Sequence, residues 1–552
     1  MPLDALALIL VVLAGTLCLA MPFFGDQALF AVYGRQLTHG AVLYRDVFDV
    51  KQPGIFMFYA FGGLLFGFTE VGIHLFELAY WLAFSVFTVV ALRPYFTTRW
   101  GAPLVPVFTV VVYYLYASLL DLTQIEMLVA FPILLAWWLI DQAQPGTRRG
   151  LRRYVAAGLA AAAAVLLKDL YILIIVAFLG YAVFRTRRRG VPIADIRRCV
   201  AAFLVALLIP LLIAVAYFAA YGQLGRIWWA YFELAPKAQL SGGRPLSYFV
   251  VGARRFLIGD GPILILAVLG VVHALRERTR PKLDLVVGMI LWSVLGSVAF
   301  FIQGWAAYKW SLFTVPIGIL AVVGFETLLP IVGTVSKRAG RLAVASGALL
   351  GALSFLLGKR APQIQTRLLI SVVVGVIAGV AVGSLASRPN AGRRMVQVLV
   401  MALAVSLGLA AIVPVDKSRM LMTHDLALTV ESRADLRRAW AHSYQAADAD
   451  LEVLRSRHIQ LGSLYVFGDP VLFLRANRPQ AVAILGWGPE LYDARAWREL
   501  DSELRSTLPS YIVVDRFPGS LIRGRYPPLM EFIRSRYRVA FVGASGTWYA
   551  LR

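Results

Sequence analysis

The chain has 552 residues, 59% hydrophobic and only 15% charged, with a mean hydropathy of +0.72 and a formal net charge of +23. Soluble domains lie nearer ~45–50% apolar and ~25% charged, so disorder, a coiled coil and a disulfide-rich scaffold are all excluded. The two cysteines, Cys18 and Cys199, lie in or beside apolar runs and leave no C-x-x-C zinc or redox motif.

Apolar runs of about 20 residues recur and predict membrane spans near 3–22, 72–92, 103–119, 126–141, 153–167, 170–185 and 198–221. Others follow near 262–276, 283–303, 309–329, 341–357, 366–386 and 395–413, about 13 in all. The first follows Met1 without a basic leader or a cleavage site and reads as an uncleaved anchor. Residues 154–185 as one helix would reach ~48 Å, too long for a ~30 Å bilayer core. With Arg at both ends and Lys168-Asp169 in the middle, they predict a hairpin of two short spans. Residues 54–69 are apolar but short, Gly-broken and aromatic-rich, which predicts an interfacial helix.

From Pro414 onward the charge is about +4; the membrane part carries the remaining ~+19, in clusters such as Arg148-Arg149, Arg185–Arg189 and Arg276–Lys282. Short basic loops of this kind set topology and do not form a nucleic-acid face. They predict a cytoplasmic amino terminus and, with an odd span count, an external carboxyl end. The expected architecture is a polytopic α-helical membrane domain over 1–413, with its first outer loop at 24–71. A small extracytoplasmic α/β domain over 414–552 follows, where strand and helix patterns alternate.

On this topology Asp26, Asp49, Asp121, Glu126 and Asp169 share one face with Arg45, Lys51, Lys168 and Lys309. Ionisable groups near membrane depth are costly, and mixed carboxylates and cations suit chemistry on a phosphorylated lipid. Asp121 and Glu126 also suit capping of the next span. Lys168-Asp169 reads most simply as a self-neutralising pair at a turn, and Lys309 also suits a snorkelling role.

Three features carry a resemblance: Asp26 just after the first span, the run Tyr44-x-Asp46-x-x-Asp49-x-Lys51-x-Pro53, and the aromatic helix that follows. Gln303-Gly-Trp-Ala-Ala-Tyr-Lys-Trp310 adds to it. The sequence resembles the GT-C superfamily of polytopic glycosyltransferases, in particular bacterial relatives of protein O-mannosyltransferases and lipid A aminoarabinose transferases. Many members have Lys-Pro-Pro where this chain has Lys51-Gln52-Pro53. The resemblance implies a bacterial inner-membrane enzyme that moves a hexose, pentose or amino sugar from a polyprenyl-phosphate donor to an external glycan, lipid or protein acceptor, with inversion. Asp26 would be the general base, and Lys51, Lys309 and Arg45 would hold the donor phosphate. Tyr44, Asp121, Glu126 and Lys168 would support the acceptor side. Asp49 is open between a second base, a metal ligand and a partner of Lys51. If a divalent cation (Mg²⁺, Mn²⁺ or Ca²⁺) takes part, Asp26, Asp49 and Glu126 are the oxygen donors available. The alternative class is a secondary transporter or flippase for a lipid-linked or amphipathic solute, which needs repeats and mid-bilayer charges. No repeat is evident, and Glu77 and Glu326 are the main acids within spans.

Overall fold

The computed structural model describes residues 2–237, 246–277, 282–303, 305–333, 417, 421, 424 and 429–552. The spans expected near 341–357, 366–386 and 395–413, and the expected boundary at 413/414, lie outside the described residues.

The chain is mostly helical. In the membrane part the helices are α1 (Leu3–Thr16), α2 (Asp26–Thr38), α3 (Pro53–Phe66), α4 (Glu70–Ala91) and α5 (Gly101–Tyr116). Then come α6 (Ala130–Asp141), α7 (Arg148–Leu167), α8 (Ile172–Arg188), α9 (Ile193–Ala220) and α10 (Leu246–Gly259). The last are α11 (Gly261–Glu277), α12 (Lys282–Ile302) and α13 (Thr314–Gly333). Among the described residues six helices are long and apolar enough to cross a membrane, seven if the bent pair α10–α11 counts as one span. Several expected spans are shorter than a bilayer core. The one near 3–22 is the 14-residue α1, and that near 103–119 is α5, with a π-helical turn at Val107–Val111. The one near 126–141 is divided into Ile125–Leu128 and α6.

The hairpin is present. Lys168 leaves the helical region (φ −160°, ψ 114°), and one 3₁₀ turn, Asp169–Tyr171, reverses the chain between α7 and α8. The helix expected over 54–69 is α3, Pro53–Phe66, whose 14 residues span only about 21 Å. It packs against α2, α4 and α7. Its Gly54 faces the α7 backbone so closely that a Cβ would stand 2.6 Å from the Leu166 carbonyl oxygen. Within the first outer loop, Asp26–Thr38 is a helix with Gln27 through Gly34 all buried.

The bundle has two chemically different ends. At one, Arg185 bridges Asp141 and Asp284 (2.8 Å to the latter), and Tyr181 donates to Asp284 at 2.7 Å. Glu326 accepts from the Thr97 and Thr98 backbone N–H groups there, with Lys282 at 3.4 Å. The Arg148–Arg153 and Arg185–Arg189 clusters lie at this end. Lys168, Gln303 and Lys309 are at the opposite ends of the same helices.

The C-terminal segment begins with α14 (Val430–Trp440) and α15 (His442–Ser456). A four-stranded sheet follows, in the order β1-β2-β4-β3: β1 (Leu464–Phe467) parallel to β2 (Tyr511–Val514), β4 (Thr547–Leu551) antiparallel to both β2 and β3 (Tyr537–Val542). The helices α16 (Val471–Ala476), α17 (Ala494–Thr507), α18 (Arg516–Arg525) and α19 (Pro527–Arg536) connect the strands. The fully buried strand residues Leu464–Phe467 and Ile512–Val513 form its core; burying each large apolar side chain contributes roughly 1.5–3 kcal/mol. This segment docks on the first outer loop: Phe48 N–H donates to the Ala483 carbonyl (2.9 Å) and Arg35 to Asn477 (2.9 Å). Arg226 reaches Glu499 (3.1 Å), Glu503 (2.8 Å) and the Tyr44 carbonyl (3.0 Å) together.

Candidate functional site

A cavity of about 790 Å³ lies at the end of the bundle away from the arginine clusters, between the segment 24–71, the α7–α8 turn, the 3₁₀ turn Ala307–Phe313 that leads into α13 and the C-terminal segment. Asp26, Asp49, Lys51, Glu126, Lys168, Lys309 and Tyr308 line it, with Trp487 and Tyr492 from the C-terminal segment.

Local sequence explains how each group is held. Gly25 takes φ +46°, a left-handed conformation that favours glycine, and a Cβ there would meet the Trp487 ring. That turn starts α2 at Asp26, whose carboxylate stands on the first turn, where unpaired N–H groups favour negative charge. Gln27 fixes the turn by accepting from Phe24 N–H (3.0 Å) and donating to the Leu122 carbonyl. Downstream, Asp49 Oδ1 accepts from the Lys51 backbone N–H (3.1 Å) while Oδ2 lies 3.4 Å from Lys51 Nζ. Gln52 is extended and Pro53 starts α3, so Lys51 projects from a rigid helix entry. Lys51 Nζ is 3.7 Å from Asp26 Oδ1, and Trp487 Nε1 donates to that oxygen at 3.0 Å.

The side chain of Asp49 is only 4% exposed, those of Asp26 and Lys51 21% and 24%. Burial, reinforced by Asp26, pushes the Asp49 carboxyl above its usual range although Lys51 opposes the shift. For Lys51 burial works against the charge, but Asp26 and Asp49 outweigh it and hold the ammonium above its ordinary value. Across the cavity Lys168 pairs with Glu126 at 2.8 Å. Lys309 also lines the cavity and has no ion pair among the described residues, which leaves one cavity lysine open to an incoming anion.

Three sequence-selected residues lie off the cavity wall. Arg45 is half-exposed and forks onto its neighbour Asp46 (2.9 and 2.8 Å), because adjacent opposite charges at the surface satisfy each other. Tyr44 is fully buried and supports the site from behind, donating to the Lys51 carbonyl (2.9 Å) and meeting the Tyr231 hydroxyl. Asp121 turns back onto Ser118, accepting from its N–H at 2.7 Å. No three His, Cys, Asp or Glu side chains among the described residues stand together as a metal site. Asp26, Asp49 and Glu126 do not form the cation site considered from sequence: Lys51 stands against the two aspartates, and Lys168 takes Glu126.

Sequence reasoning missed Trp487, Tyr231, Tyr492 and Gln124 as wall residues. It also missed how Glu77 acts. This fully buried carboxylate accepts from Tyr113 (2.6 Å) and from the Thr123 N–H and hydroxyl (3.0 and 2.9 Å). It thereby secures the positive-φ residue Thr123 and, behind it, the approach to Gln124 and Glu126.

Residues 50–217 match the family model described as dolichyl-phosphate-mannose-protein mannosyltransferase. Among solved structures, ArnT from Cupriavidus metallidurans bound to undecaprenyl phosphate superposes with a TM-score of 0.54 at 17% identity, covering 99% of this chain and 97% of that one. The archaeal oligosaccharyltransferase AglB from Archaeoglobus fulgidus, in complex with an inhibitory peptide and a dolichol-phosphate, gives 0.44 at 9% identity, over 99% and 74%. No curated protein sequence matches the chain significantly.

Proposed function

We propose that this chain is a membrane glycosyltransferase of the GT-C superfamily, a reading supported by the family match over residues 50–217 and by the fold, and that it transfers a sugar from a polyprenyl-phosphate donor to an acceptor hydroxyl with inversion at the anomeric carbon. One observation carries the reading: Asp26, Asp49 and Lys51 stand together in the lining of one cavity, which Lys309, without an ion pair among the described residues, also lines.

The chemistry follows from that placement. Asp26 Oδ1 is held by Trp487 and Lys51, and Oδ2 has no hydrogen bond among the described residues. Oδ2 is the oxygen that takes the acceptor's proton as its hydroxyl attacks the anomeric carbon. The bond from that carbon to the phosphate oxygen breaks, and the lipid phosphate leaves with the bonding electrons. Its growing charge meets Lys309 and Lys51, which line the same cavity; preorganised cations at such a position are worth a few kcal/mol each. Asp49 keeps Lys51 aimed and Lys168 keeps Glu126 in place. These residues supply both base and anion stabilisation, so no step is assigned to a metal.

Residues 1–413 are the catalytic membrane domain in this reading, and 414–552 an extracytoplasmic domain that closes its outer face. The arginine clusters at the end opposite the cavity support an interior amino terminus in a bacterial inner membrane. The acceptor class is a glycan, lipid or protein, and the sugar a hexose, pentose or amino sugar.

The test is Asp26→Asn in purified enzyme supplied with undecaprenyl-phosphate-linked sugars. Removing a general base costs typically 10²–10⁴-fold, so a loss of at least about a hundredfold is expected, with undecaprenyl phosphate still bound. Activity within threefold of the parent would remove Asp26 as the base.

A further inference from the structure

The C-terminal segment does more than cover the cavity, because one of its side chains touches the carboxylate on which the chemistry is proposed to turn. Ile484, Leu485, Trp487, Gly488 and Tyr492 belong to the cavity wall, and Trp487 Nε1 donates to Asp26 Oδ1 at 3.0 Å across 461 positions of sequence. The ring is seated by complementary features. It packs on Gly25, where both the positive φ and the space exclude a side chain. Its own loop is fixed by Gly486, whose missing Cβ lets the chain press on the β1 backbone at Val466, and by Gly488 at φ +75°. Phe48 N–H to the Ala483 carbonyl (2.9 Å) locks that loop to the segment carrying Asp49 and Lys51.

We infer that Trp487 is a positioning residue: it anchors Asp26 Oδ1, so that Oδ2 faces the acceptor hydroxyl and Lys51 remains available to the donor phosphate. The inference rests on the reading of Asp26 as general base. A carboxylate has two equivalent oxygens and a soft terminal torsion, so a base that must present one particular oxygen needs the other tied. Lys51, at 3.7 Å, is too long to tie it alone and has Asp49 to serve. Without the indole N–H, the carboxylate would swing toward Lys51, close the ion pair and misplace both groups. Losses of this kind fall on the chemical step more than on substrate capture.

The experiment uses full-length enzyme in detergent or nanodiscs. Trp487→Phe keeps an aromatic ring in the loop and removes the N–H donor, together with part of the indole that packs on Gly25. The expected result is a tenfold to fiftyfold fall in kcat with donor and acceptor KM within about twofold. Unchanged kcat, or a fall matched by a rise in KM, overturns the inference. A second measurement does not depend on turnover. In protein labelled with 5-fluorotryptophan, the ¹⁹F resonance lost in Trp487→Phe belongs to Trp487; Asp26→Asn should move it, and a resonance that stays put overturns the contact. If the Phe variant loses the fold, Trp487→His, which retains a ring N–H, replaces it for assignment and kinetics and should keep more activity than Trp487→Ala. Equal activity of those two also overturns the inference. The two readings fail separately: an active Asp26→Asn sinks the base, whereas an inactive Asp26→Asn beside a fully active Trp487→Phe sinks only the positioning role.

Discussion

Lys51 stands between two carboxylates, and removing it makes a test of the site's electrostatics. In Lys51→Met the chain keeps its volume but strands Asp49, 4% exposed, beside Asp26. At 3.4 and 3.7 Å each lost attraction amounts to about 4–5 kcal/mol at an effective dielectric of ~20. Relief of the lysine's own desolvation offsets part of it. Stranding a buried charge typically costs ~3–5 kcal/mol, and the partial exposure of Asp26 and Lys51 argues for ~2–4. The sign of the pH dependence is fixed by Asp49. Its folded-state pKa already lies above the ordinary value because of burial and Asp26, and losing Lys51 raises it further. A carboxyl raised in the folded state is content while protonated, and its penalty develops as pH rises through the folded pKa. The stability gap between parent and Lys51→Met should therefore be small near pH 5 and full at pH 8, a difference of several degrees in melting temperature. Thermal unfolding of both proteins across that range, followed by intrinsic fluorescence, reads it directly. Adding Asp49→Asn should recover much of the loss at pH 8, since both members of the pair are then gone. A gap that does not change with pH, or a double variant no better than the single, refutes this account.

Lys309→Met removes the cavity lysine that has no ion pair among the described residues and should raise the donor KM and lower kcat, together about 10²-fold in kcat/KM, with stability unchanged; steady-state kinetics decide it, and a parent-like kcat/KM discounts Lys309. Glu77→Gln can keep an oxygen toward the Tyr113 hydroxyl and the Thr123 N–H but puts an NH₂ against the Thr123 hydroxyl and gives up the charge-assisted bonds, which should cost about 1 kcal/mol and loosen the Gln124–Glu126 wall; a parent-like melting temperature counts against the clamp. Gly54→Ala drives a methyl into the Leu166 carbonyl and should separate α3 from α7, seen as lower thermal stability and a weaker yield of folded protein; normal stability would show that the helices can part at no cost.

The sequence made parts of this arrangement legible for a physical reason. Asp49, Lys51 and Pro53 are neighbours in the chain, so their proximity needs no tertiary information, and a buried carboxylate two residues from a lysine has little choice of partner. The α7–α8 hairpin was legible because a 32-residue apolar run cannot be matched to a bilayer without a turn, and the charged pair Lys168-Asp169 marks where. Lys168 nevertheless finds Glu126 across the bundle, not its neighbour, because Asp169 turns away and accepts from the Leu170 N–H at 2.7 Å. Periodicity cannot show that choice. Arg45 was misleading for the reverse reason: a neighbouring carboxylate did satisfy it. Helix α2 was missed because almost every side chain from Gln27 to Gly34 is buried, so no amphipathic stripe marks it. Trp487 was invisible because its partner is 461 positions away and its signal is a glycine-flanked turn in a different part of the chain.

Among the described residues, the distribution of satisfied and unsatisfied charge argues for chemistry at one end of the bundle over passage through it. A carrier that moves a charged headgroup across the bilayer needs ionisable groups near the midplane that can exchange partners. Here Glu77 is saturated by three donors that hold a turn, Glu326 by two backbone N–H groups with Lys282 beside it, and Asp141 and Asp284 by Arg185 and tyrosines. None of these can release its partner without stranding a buried charge, at a cost of several kcal/mol. At the cavity the accounting differs, for Lys309 lacks an anion and Asp26 Oδ2 lacks a donor among the described residues. In the proposed reaction a leaving lipid phosphate would supply the first and an acceptor hydroxyl the second. The two vacancies differ in sign and face one space, and a reaction that makes an anion while releasing a proton fills both at once.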